Sequence, residues 1–376
     1  MRTMIRVIAT FALLSAGLPA TAATATLTRA WQFQGEASAG LEVRNLMGDV
    51  RVERGTGAGF HVTAEATVET GSQAEADRLV RAIDYRTRDI GAGSRFDVAF
   101  PREHFPKLFH AGGPGGWWGV MYVEYLGERI RLTGKQADAP RVRVDLVIRA
   151  PAGAKLDVHN IFGESVAEGY SGELRLDGTS GRLRSARGEG RLELDSGSGA
   201  VEVAGHQGRV SADTGSGSVD IRDCQCEIDA DTGSGTVEVR GGSGLLRADT
   251  GSGRVIVGGW SGAIVADTGS GAVGAQDVSN VTELNVDTGS GSVTVDGDLT
   301  ALHRLRVDTG SGSVRLRSAG APSMEVVIDT GSGRVDVDAP GAMVRQSDGV
   351  WTVRLGDGAG SGVIDTGSGS VDLIVQ

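Results

Sequence analysis

The five-residue unit Asp-(Ser/Thr)-Gly-Ser-Gly starts at Asp195, Asp213, Asp231, Asp249, Asp267, Asp287, Asp308, Asp329 and Asp365. The successive spacings are 18, 18, 18, 18, 20, 21, 21 and 36 residues. A step of 18 backwards reaches Asp177-Gly-Thr-Ser-Gly181 and then His159-Asn-Ile-Phe-Gly163. Read as two periods, the last spacing leaves room for a degenerate coil around Ser347, and the array makes twelve coils. A repeat this short cannot bury its own apolar face, so such a chain must stack its repeats.

The apolar residues keep the same register. Val219 and Ile221 follow one turn, and Ile228 and Ala230 precede the next; Val255, Val257, Ile264 and Ala266 do the same one period on. Alternation with outward Asp, Glu and Arg is strand periodicity. Each coil therefore reads as two short strands and two turns around a narrow core of Val, Ile, Leu and Ala. That width accounts for aromatics at only 5% of the chain, and the spacing argues against the disorder that 60 glycines would otherwise suggest. At about 4.8 Å per strand, twelve coils would extend roughly 55 Å.

The two turns differ. The Asp-Thr-Gly-Ser-Gly turn keeps its length, whereas the second turn runs from six residues, Arg222 to Glu227, to nine, Asp296 to Arg304. The first turn is architecture, and the second is where variation and binding are tolerated. In the first, the Asp side chain is expected to accept from a backbone N–H and Gly to provide positive φ. Cys224 and Cys226 share one second turn, where a local disulfide would close a very small ring and a metal site would lack further ligands.

Residues 1–25 read as a signal peptide. Arg2 and Arg6 precede the apolar run Val7 to Leu18, and small residues allow cleavage after Ala22 or Ala25. Without Arg2 and Arg6 the formal charge moves from −11 to −13. An acidic chain with no basic cluster is a poor match for nucleic acid or anionic lipid, and no other run is long enough for a transmembrane anchor. Export is the expectation, to the periplasm, the cell surface or the medium.

Residues 26–158 read as a mainly β capping region ahead of the solenoid, 159–376. Leu41 to Val52 resembles an early coil turning at Gly48, and Ser72 to Ile83 has the start signals of one helix. Strands are expected at 60–69, 95–100, 120–126, 129–132 and 142–148. Between them lies the Gly/Pro-rich segment 101–119 with Phe105, Phe109, Trp117 and Trp118. These aromatics either anchor a partner or plug the end of the stack.

Asp-Thr-Gly-Ser is also the aspartic-protease motif, and Val326 to Ser332 matches its local context. That chemistry needs two carboxylates sharing one proton, whereas this motif is a repeated turn. Calcium is the sharper alternative: Asp213, Asp231, Asp249, Asp267, Asp287, Asp308 and Asp329 would form a carboxylate ladder that a cation could neutralise. The second turns carry no matching Gly-Asp pattern. A Thr ladder also suggests an ice-binding face, although it falls in a turn. A polysaccharide-acting β-helix enzyme would need clustered acids, and outward charges read more simply as a solvated face.

The segments Leu41 to Val52 and Ala150 to Gly163, with the Asp-Thr-Gly-Ser-Gly-Ser-Val array, resemble a bacterial family named "putative adhesin", a domain of unknown function with β-strand repeats. The resemblance implies an exported, right-handed parallel β-solenoid, or β-helix, with an envelope role and no catalytic residues. The expectation is an all-β, non-catalytic binding or scaffold protein without a cofactor. Its partner would be a cell-envelope or surface protein or a glycan.

Overall fold

The computed structural model describes residues 6–10, 22–34, 40–91, 93–109, 120–134 and 139–376. The described residues are all-β with one helix, and the chain divides into two compact units, Met1–Leu192 and Glu193–Gln376.

In the first unit, the strands Leu41–Met47 and Val50–Arg54 form the early coil expected around Gly48. The next coil stacks on it in parallel, with Leu156 on Leu41, Val158 on Val43 and Ala167 on Val52. Gly48 has φ 128°, and a Cβ there would lie 2.0 Å from the Val144 carbonyl oxygen. Only glycine lets the strand Arg141–Ala150 approach so closely. Buried amides line the same corner: Asn45 Nδ2 donates to Val144 O at 2.9 Å, and Asn160 Nδ2 to Gly48 O at 2.9 Å.

The outer edges of this early coil are paired. Gly93–Ala99 runs parallel to Leu41–Met47, and Arg141–Ala150 runs parallel to Val50–Arg54. Antiparallel strands continue outward from both, Asp84–Ile90 on the former and Phe60–Thr70 then Ala23–Phe33 on the latter. An exposed strand edge is a template for aggregation, and this pairing removes it. The helix Gln73–Ala82 buries Ala76, Leu79 and Val80, and Ser72 caps it by accepting from Glu75 N at 3.3 Å.

Strands also form outside the expected segments. Ala23–Phe33 begins inside the segment read as leader, and Arg6–Thr10 pairs antiparallel with it. Asp84–Ile90 carries charges at most positions and buries none of its residues, so it gives no apolar alternation to read. The strand Ala154–Phe162 runs through the expected boundary at 158/159.

The second unit is a parallel stack in near-perfect register. Val219, Val237, Val255, Val273, Val293 and Val314 succeed one another along one inward row. Ile228, Leu246, Ile264, Leu284 and Leu305 do so along the facing one. In four coils the second turn is extended backbone: Val219–Thr232, Val237–Thr250, Val255–Thr268 and Val273–Thr288 are unbroken strands. Residues of positive φ bend them: Asp223 in the first, Gly241, Gly242 and Gly244 in the second, Gly259 and Gly262 in the third, and Asp277 and Asn280 in the fourth.

The order of coils differs from the order of sequence. Asp308 pairs with Asp365, and Asp365 pairs with Asp329. The final strands, Gly360–Thr366 and Val371–Val375, thus lie between two coils that are consecutive in sequence. The degenerate coil expected around Ser347 is no coil. Met343–Ser347 and Val350–Leu355 form an antiparallel hairpin, the second strand of which lies antiparallel on Met324–Thr330. Asp348 and Gly349 both have positive φ, 52° and 85°, which suits the two-residue turn that twisted strands favour.

Candidate functional site

The Asp-Thr-Gly-Ser-Gly turn is built around its threonine. Thr214, Thr232, Thr250, Thr268, Thr288, Thr309 and Thr366 end their strands with buried side chains. Thr232 Oγ1 donates to Gly217 O of the preceding coil at 2.9 Å and accepts from Gly235 N of its own turn at 3.1 Å. The same pair of bonds recurs at Thr250, Thr268, Thr288, Thr309 and Thr366. Hydroxyl and amide would otherwise be buried without partners, at a cost of about 1–3 kcal/mol each. The residue expected to cap this turn was Asp; the threonine does so instead, because it is the one that faces inward. A buried Thr ladder offers no ice-binding face.

The last glycine of the turn also acts differently from the expectation. Its φ is not positive; what it lacks is room. A Cβ at Gly235, Gly253, Gly271 or Gly291 would lie 1.5–1.7 Å from the carbonyl oxygen of the equivalent glycine one coil below. The requirement for glycine comes from the stack.

The ladder aspartates Asp213, Asp231, Asp249, Asp267, Asp287, Asp308 and Asp329 are displayed one per coil on the exposed side of this edge. Partial burial and then the neighbouring carboxylates push the carboxyls of Asp213, Asp231, Asp249, Asp267 and Asp287 above the ordinary aspartate value. A cation would relieve that repulsion. However, no group of three or more His, Cys, Asp or Glu side chains converges as a metal site among the described residues. Asp329, in the protease-like segment, lies beside Asp365 in parallel strands, and Thr330 donates to Gly333 O at 3.1 Å as a turn residue. That arrangement is the repeated turn and not a dyad across a cleft.

The outward strand faces are laced with ion pairs. Glu227 accepts from Arg247 at 3.2 Å and also from Arg209, and Arg315 meets Asp372 at 2.8 Å. These pairs are largely exposed, so each adds little stability. They leave a surface of alternating charge.

The second turns hold their apolar residues inside. Trp260 is fully buried with its indole N–H 3.4 Å from Ala263 O, and Leu299 and Leu302 are buried in the long turn after Asp296. Cys224 and Cys226 are joined as a disulfide and are buried. Of the four loop aromatics, Phe105 is buried against Phe100, with ring centroids 5.8 Å apart. Phe109 is half-buried in the short strand Leu108–Phe109. Trp117 and Trp118 lie outside the described residues.

One polar cluster escaped the sequence reading. Glu42 accepts from Arg44 at 2.7 Å and from Arg95 at 2.8 Å. Arg88 reaches the buried Asp97 at 3.4 Å, and Tyr125 donates to Val98 O at 2.8 Å. Burial raises the Asp97 carboxyl above its ordinary value against the pull of three arginines. The hint was charge alternation in strands, Glu42 with Arg44 and Arg95 with Asp97, which reads equally as a solvated face.

These features define a parallel β-solenoid whose side chains of chemical interest are repeated along its edges. Residues 260–376 match the model of the Toastrack DUF4097 family. No curated protein matches the chain. A solved structure titled "Crystal structure of a putative cell adhesion protein from Clostridium sporogenes ATCC 15579" is similar at 9% identity. It covers 100% of both chains with a TM-score of 0.19, which is too low to bear on fold or role.

Proposed function

We propose that the protein is a non-catalytic binding or scaffold module of the cell envelope. The observation that carries this reading is the distribution of its polar groups. The ladder aspartates recur at one position per coil, and arginines are tied to acids along exposed strand faces. A catalytic site needs unlike groups brought to one point; a repeated surface instead presents the same groups many times to an extended partner. The leader-like segment 1–25 and the acidic surface direct this reading to an exported protein with an envelope protein or glycan as partner.

Variation is confined to the second turn, where a solenoid tolerates insertions and places contacts. The test is capture of cross-linked partners from an envelope fraction by three forms of the chain. These are wild type, a variant with the turn 297–303 shortened to the six-residue form, and Trp117→Ala/Trp118→Ala. Loss of a defined partner in either variant supports recognition through that element. A partner set identical for all three, or no partner at all, overturns it.

A further inference from the structure

The far end of the second unit is a step. The outermost coil consists of Met324–Thr330 on one side and Val335–Asp338 on the other, stacked on Gly360–Thr366 and Val371–Val375. Two more strands continue the first side, Val350–Leu355 and then Met343–Ser347. None continues the second side among the described residues, where Val335–Asp338 pairs with Val371–Val375. One side therefore rises above the other by two strand spacings, roughly 10 Å.

The inner wall of this step is apolar except at Gln346, which lies opposite Trp351. Val335 and Val337 are half-buried, whereas Val371 and Leu373, directly below them, are 0% and 4% exposed. On the raised side, Trp351 lies opposite the buried Ile328 and is itself half-buried. Val344 lies opposite the buried Val353 and is 41% exposed. The core rows thus run on past the point where the second side ends.

The charges at the two edges are opposite. Asp336 and Asp338 are exposed on the low edge. Arg345, exposed on the raised edge, shares its outward row with Thr352 and Val327.

We propose that this end is a self-complementary joint for a second copy of the chain. A two-fold axis along the strand direction exchanges the sides and inverts the stack. Each raised hairpin then fills the other copy's step. Met343–Ser347 of each copy lies antiparallel against Val335–Asp338 of the other, and both sides become continuous. The joint covers Val335, Val337, Val344 and Trp351 of each copy and sets Arg345 against the partner's acidic edge. Pairing of the raised edges alone would oppose arginine to arginine, which disfavours it. An isologous interface of this kind closes at two copies.

Sedimentation of the full chain over a range of concentrations tests the joint, with circular dichroism confirming that each variant is folded. Arg345 points outward from a strand on which every residue is exposed, so its replacement leaves the core intact. The expected result is a monomer–dimer equilibrium that Arg345→Glu weakens roughly tenfold or more. Adding Asp336→Lys and Asp338→Lys to that variant should restore it. A mixture of Asp336→Cys and Arg345→Cys proteins should give a disulfide-linked dimer that neither gives alone. A chain that stays monomeric, a dimer indifferent to Arg345→Glu, or cross-linking by a single variant alone would overturn the proposal.

Discussion

The hydroxyl of Thr366 donates to the carbonyl oxygen of Gly312, 3.2 Å away and 54 residues earlier in the chain. It makes the same bond that Thr309 makes to Gly291 within the sequential part of the stack, at 3.2 Å. The repeat is therefore a set of equivalent layers, and a layer bonds to whichever neighbour topology provides. Because Thr366 also accepts from Gly369 N at 2.8 Å, replacing it with the isosteric valine strands two backbone groups. Thr366→Val should lower stability by about 1–3 kcal/mol in denaturant unfolding, and Thr366→Ser by less.

The inserted position of the last coil has a dynamic consequence. A chain-terminal coil at the end of a stack frays, and its amides exchange quickly. Here Val371 N donates to Arg334 O on one side, and Gln376 N donates to Ser318 O on the other. Hydrogen exchange should accordingly show residues 362–375 protected as strongly as the strand Val293–Gly297, with Met343–Ser347 exchanging first. Fast exchange throughout 362–375 would contradict the inserted arrangement.

The glycine of the fixed turn allows a sharper test of stacking. At Gly253 a Cβ would sit 1.5 Å from Gly235 O, and the obstacle is backbone, which cannot swing aside. Gly253→Ala should cost about 3 kcal/mol or more by overpacking. Gly274, with open space where its Cβ would go, is the control: Gly274→Ala should change stability little.

The coils were legible because both of their signals are local and periodic: alternation at Val219 and Ile221, and the fixed Asp-Thr-Gly-Ser-Gly turn. The inside of that turn was not, since Asp and Thr are both plausible turn formers and only the strand's phase decides which faces the core. The threading of Gly360–Thr366 between earlier coils was illegible for a different reason. Equivalent layers accept one another in any order, so sequence similarity carries no information about adjacency. The hairpin at 343–355 was legible in principle, through Asp348-Gly349 between alternating runs, but Val353 and Leu355 also satisfy the coil register and hid it. For the site, the exposed Asp row was readable, whereas the burial of Phe105 depends on packing with Phe100 that no spacing reveals.

The aspartate row predicts an unusual stabilising substitution. Asp249 lies between Asp231 and Asp267, and its carboxyl is raised by partial burial and then by Asp231 and Asp229. A folded value above the ordinary 3.8 means that ionisation opposes folding. Its contribution is favourable below about 3.8 and is lost as pH rises through the folded value. Asp249→Asn should therefore raise Tm at pH 7, and the gain should shrink near pH 3 and in high salt. A Tm lowered at pH 7 would show that the carboxylate makes a stabilising contact.

His159 occupies the ladder position in the first unit and reverses its logic. Its ring nitrogens lie 3.2 Å from Asp157 and 3.1 Å from Asp177, the latter one coil further on. Hydrogen bonds to those two carboxylates, Asp157 first, raise the imidazole from 6.5 to about 9 despite partial burial. The pairing contributes in full below about pH 6.5, and its contribution fades as pH rises through about 9. Nuclear magnetic resonance titration should find His159 still protonated at pH 7.5, where an ordinary histidine is neutral. In the His159→Gln variant, the loss of stability between pH 6.5 and 9 that this residue causes in wild type should be absent. A His159 midpoint near 6.5 would mean that the two carboxylates do not hold the ring.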